Sequence, residues 1–86
     1  MTPNKPVSKV ELRALWGNDD AESTIRISQR QWQKIQAGEK FERSAWGYYE
    51  GRRFSVVWSF KDKKVTIHGG DMECIIDDPL ENLYLD

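Results

Sequence analysis

Between Phe54 and Phe60 every second residue is large and apolar: Phe54, Val56, Trp58 and Phe60, with Ser55, Val57 and Ser59 between them. Side chains of a strand point alternately to opposite faces, so this run has one solid apolar face and does not fit a helix. Short links flank it, Glu50-Gly51-Arg52 before and Lys61-Asp62-Lys63 after, and Gly69-Gly70 follows. Strands are therefore predicted over 41–49, 53–60, 64–68 and 71–76, joined as an antiparallel meander.

Turn lengths then set the pairings. A two-residue turn at Asp62-Lys63 places Phe60 opposite Val65 and Trp58 opposite Ile67. A two-residue turn at Gly69-Gly70 places Ile67 opposite Met72 and Val65 opposite Cys74. The expected core face is Phe54, Val56, Trp58, Phe60, Val65, Ile67, Met72 and Cys74. At Gly51 two geometries stay open. A two-residue turn sends Ala45, Gly47 and Tyr49 to the core and leaves Trp46 and Tyr48 on the other face beside Val57; a three-residue turn with a glycine bulge reverses this.

The N-terminal half is less regular. Residues 8–16 show strand period in Val10, Leu12, Ala14 and Trp16, although Ser8-Lys9-Val10-Glu11 also fits a helix capping box; the strand is the better fit. Ile25 and Ile27 alternate with Thr24 and Arg26 across a polar loop, completing a hairpin with 23–28. Gln29 to Ala37 is expected to be a helix, capped by Ser28, with Gln31 at its third position and Gly38 as its stop. Its Trp32 and Ile35 share a face and need a sheet beneath them. Asp78 as N-cap with Pro79 at the first helical position suggests one short helical turn.

The expected fold is thus α+β: a mostly antiparallel sheet of about five or six strands with one helix packed on one face. Residues 1–7, with Pro3 and Pro6, read as a flexible arm, and 8–86 as a single domain. The 4 Trp, 3 Tyr and 3 Phe each bring much buried area to a small core.

Composition bounds the function. A net charge of -1 gives no global field for nucleic acid or membrane, although every charged residue from Asp71 onward is acidic. No apolar run approaches a membrane span, and the polar start does not resemble a secretory signal. The lone Cys74 cannot form an internal disulfide, so a reducing cytoplasmic setting is expected.

No catalytic constellation emerges. Cys74 and His68 would form a thiol-imidazole pair only if the Gly69 turn has three residues, because the two-residue register puts them on opposite faces. His68, Asp71 and Glu73 are a thin ligand set for zinc, and Asp71, Asp77 and Asp78 lack the spacing of a calcium loop. Gly69-Gly70-Asp71 leads into a strand and matches no phosphate-binding loop. The expectation is therefore a non-enzymatic chain with no cofactor, no metal and no small-molecule ligand.

What remains is a surface. Trp46, Tyr48, Arg52 and Arg53 are the candidate interaction residues, in a module that binds protein, either itself or another chain. The alternative is single-stranded nucleic acid, with bases stacking on the aromatics. Against it, Arg52 and Arg53 lie at one end of their strand and Lys61, Lys63 and Lys64 at the other, about 20–25 Å away.

Overall fold

A computed structural model describes residues 9–18, 20–69 and 73–85. They form β1 (Lys9–Trp16), β2 (Ala21–Ser28), α1 (Gln29–Gln36), β3 (Phe41–Tyr49), β4 (Arg52–Lys61), β5 (Lys64–Gly69) and β6 (Cys74–Pro79). A 3-10 turn (Leu80–Asn82) and the short β7 (Tyr84–Leu85) follow. All seven strands belong to one antiparallel sheet in the order β6-β5-β4-β3-β2-β1-β7. The expected five or six strands are thus too few, because β7 is a two-residue strand too short to show a period. The expected arm, 1–7, lies outside the described residues.

Topology forces the sheet to curl. β6 and β7 lie on opposite edges, yet only residues 80–83 separate them in the chain. Six inter-strand steps in a flat sheet would part these edges by about 29 Å. The five residue steps from Pro79 to Tyr84 reach at most about 18 Å. The sheet therefore bends into a half-barrel, and residues 80–83 bridge its open side, with Leu83 buried.

The concave face holds the core. Leu12, Ile27, Val56, Trp58, Phe60, Val65 and Ile67 are almost wholly buried there. Trp32 and Ile35 of α1 join the same cluster. The helix begins as expected, with the Ser28 hydroxyl accepting from the Gln31 N–H at 3.0 Å. It ends in a Schellman motif: Gly38 (φ +101°) donates to the Ile35 carbonyl, and Glu39 to that of Lys34.

The strand period over residues 9–16 prevails over the capping box, since Val10, Leu12 and Ala14 are buried opposite Ile27, Ile25 and Ser23. The Asp62-Lys63 turn has two residues, so Phe60 pairs with Val65 and Trp58 with Ile67 as expected. The Gly69-Gly70 turn does not behave as expected. Val65 pairs with Asp78 and Ile67 with Ile76, not with Cys74 and Met72. The link is longer, closing through a Gly69 N–H to Glu73 carbonyl bond of 2.8 Å, and a bulge follows between Ile67 and His68. The strand expected over 71–76 is β6 at Cys74–Pro79, and Cys74 is exposed, not a core residue. Pro79, not Asp78, caps the 3-10 turn.

Candidate functional site

The β3–β4 turn decides where the aromatic residues point. Tyr49 pairs directly with Arg52, so Glu50-Gly51 is a two-residue turn with both φ positive, at +50° and +78°. Of the two geometries left open by the sequence, this one puts Ala45 and Gly47 inward and Trp46 and Tyr48 outward; Tyr49, expected in the core with them, is instead 43% exposed, because it sits at the hairpin tip beyond the reach of the core. Trp46 is 48% exposed and Tyr48 45%, and Val57 is also exposed on this outer face. Gly47 leaves room for a ring: a Cβ there would lie 2.6 Å from Cζ of Phe54, which sits edge-on to Trp16 at 6.1 Å.

Of the four candidate residues, three share a face. The Arg53 guanidinium lies 4.4 Å from the Trp46 ring centre, a cation–π contact on the outer face. Tyr48 stands directly opposite Arg53. Arg52 is opposite Tyr49, on the other face of the hairpin tip, and does not join them.

Beside Trp46 lies an open trough of about 570 Å³ across β3, β4 and β5, lined by Glu42, Ser44, Trp46, Ser55, Val57 and His68, among others. Its polar groups are largely hydroxyls, and the Ser59 hydroxyl donates to Glu42 at 3.3 Å. The bulge makes His68 and Cys74 register partners, which the expected register excluded. The Cys74 thiol contacts the Ile76 carbonyl at 3.6 Å, and His68 Nδ1 is buried with no hydrogen-bond partner among the described residues. Among the described residues no three His, Cys, Asp or Glu side chains gather as metal ligands. Also among them, no helix is long and apolar enough to cross a membrane.

On the other side of Trp46, a second set of residues escaped the sequence reading. The buried Ser23 hydroxyl accepts from the Trp58 indole N–H at 2.9 Å and donates to the Trp46 carbonyl at 2.8 Å. Arg43 reaches from β3 to the Arg26 carbonyl on β2, at 2.6 Å. The one available signal was Ser23 itself, a polar residue in the inward row Ala21, Ser23, Ile25, Ile27.

Comparisons of the chain with protein-family models, with curated proteins and with solved structures found no significant match.

Proposed function

We propose that this chain is a non-catalytic interaction module that binds protein through the outer face of the β3–β4 hairpin. The observation that carries this is Trp46, half exposed on a sheet face beside Tyr48 and Val57 and held by Arg53. An exposed aromatic already stacked against a neighbour loses less freedom on binding than a bare one, and Trp, Tyr and Arg are enriched among the residues that dominate interface energetics. The exposed free thiol of Cys74 suits a reducing, cytoplasmic setting.

Stacked bases are the less favoured partner. Arg53 already lies over the Trp46 ring, and Glu22 stands opposite Tyr48, where a phosphate backbone would meet a carboxylate.

The test is association measured with and without the aromatics. Sedimentation and affinity capture from a nuclease-treated lysate should show a self-complex or a retained partner. The Trp46→Ala, Tyr48→Ala double variant should weaken that association about tenfold or more. A chain that stays monomeric at high concentration and retains nothing, or a complex indifferent to the double variant, overturns the proposal. Quenching of Trp emission by single-stranded oligonucleotides, fading steeply with salt, would transfer the face to nucleic acid.

A further inference from the structure

The sheet is continuous between β2 and β3 only at one end. Their pairing consists of Ala21–Ser23 against Gly47–Tyr49, although β2 runs on to Ser28 and β3 starts at Phe41. Past that point the two strands part, and a wedge of about 400 Å³ opens between them, lined by Thr24, Arg26, Arg43, Ser44, Trp46 and Tyr48, among others.

Register determines which backbone groups look into this fork. A two-residue hairpin turn closes on a hydrogen-bonded pair, so Tyr49 and Arg52 form one, and Gly47–Phe54, Ala45–Val56 and Arg43–Trp58 follow in alternation. The residues between them, Ser44, Trp46 and Tyr48, turn their N–H and C=O groups away from β4 and toward β2. By the same parity Glu22, Thr24 and Arg26 of β2 turn theirs toward β3. Two bonds already described agree with this: side chains of Ser23 and Arg43 meet the Trp46 and Arg26 carbonyls at the fork. Beyond the last rung, the Arg26 N–H and both backbone groups of Ser44 face no strand.

A row of unpaired strand backbone is a template for another strand. The side chains around it add a charge preference. Arg26 and Arg43 line the wedge and no carboxylate does. Arg26 is already paired with Glu11 at 3.4 Å and Glu22 stands opposite Tyr48 at the closed end, so the preference for an acidic partner falls on Arg43 at the open end. We propose that the fork receives an extended, acidic segment of a partner protein, which pairs through its backbone with β3 at Ser44 and with β2 at Arg26. This rests on the protein-binding role of the Trp46 face and gives the partner a form. Arg43 now fills the place of an incoming N–H at the Arg26 carbonyl, and it must let go. Its guanidinium lies 5.8 Å from the Phe41 ring, which can keep it.

The experiment is residue-resolved amide exchange on the whole chain. The probe is a pool of ten-residue peptides with Glu at alternate positions and Val, Thr or Tyr between. In the free chain the Ser44 and Arg26 amides should exchange fast, and Arg43 and Ala45 slowly. With the pool at millimolar concentration, exchange at Ser44 and Arg26 should slow at least tenfold. Peptides N-methylated at alternate amides, in either phase, separate a backbone pairing from a side-chain contact: one phase should lose the protection at Ser44 and the other the protection at Arg26. Ser44→Pro removes an N–H that no ladder uses, and should weaken binding at least tenfold while the far-ultraviolet spectrum is kept. Unchanged exchange at Ser44 and Arg26, or N-methylated forms that protect both amides as well as the unmodified peptides do, overturn the fork. If a captured partner depends on Trp46 but leaves these amides unprotected, the fork fails and the face stands. If the peptides protect them regardless of Trp46, the fork stands and the face fails.

Discussion

Ser23 is 1% exposed in a row that otherwise reads Ala, Ile, Ile, and its hydroxyl serves two buried groups at once. It gives the Trp58 indole an acceptor in the middle of the core. It also gives the Trp46 carbonyl a donor where the β2–β3 ladder runs out. Ser23→Ala therefore orphans the buried indole N–H and costs the Trp46 carbonyl a bond, for the removal of a single oxygen. The expected loss is about 1–3 kcal/mol in urea unfolding, well above an ordinary Ser-to-Ala change in a strand. A loss under about 0.5 kcal/mol would mean that water or another group takes over both bonds. Trp46 shows a different dependence. Nothing in its own neighbourhood of sequence decides whether it is core or surface; its side is set by the turn at Glu50-Gly51.

At the scale of elements, the Asp62-Lys63 turn carries a visible strain. Both residues have positive φ, +53° and +66°, as a two-residue hairpin turn with the sheet's twist requires. Apart from Asn and Asp, L-residues pay about 1–2 kcal/mol for that conformation, so the cost falls mainly on Lys63. Replacing the pair by Asn-Gly should raise stability by about 1 kcal/mol, seen as a higher urea midpoint with unchanged slope. An unchanged or lower midpoint would assign the two native side chains a compensating contact. This turn and the helix were legible in the sequence for the same reason: short-range chemistry fixes both. Asp62-Lys63 sits between two clear alternations, and Ser28, Gln31 and Gly38 mark the helix within ten residues. The register after Gly69 was not legible. A glycine pair fits a two-residue turn or a longer link equally well, and the bulge at His68 lies beyond what alternation can show. That error moved Cys74 from the surface to the core. The fork between β2 and β3 was hidden for a related reason: the pattern of each strand says where its side chains go, not how far a ladder extends.

For the molecule as a whole, curvature follows from connectivity. The bridge of residues 80–83 ties one edge of the half-barrel to the other, and Leu83 packs into the core from it. Its neighbours Leu80, Pro79 and Trp32 help to line the cleft between the bridge and α1. Leu83→Ala should cost about 2–4 kcal/mol, the usual range for a large-to-small change in a core. It should also raise the exchange rate of the β1 amides that face β7 before those of the β3–β4 hairpin. Equal loosening throughout would mean that the bridge is no separate fastening.

The same bridge sets an order of events. β1 is the first described strand made and β7 the last, yet they are neighbours, with Leu12 against Leu85 and Arg13 against Tyr84. The β3–β4 hairpin can close within about 20 residues of chain, on the microsecond scale. The outer edge of β1 at Leu12 and Arg13 has to wait until residue 85 has left the ribosome. During that interval a nascent chain carries a bare strand edge with no lid, the stage at which a neighbouring copy could pair with it instead. The sequence meets that exposure with charge: Lys9, Glu11 and Arg13 punctuate the strand at every second position.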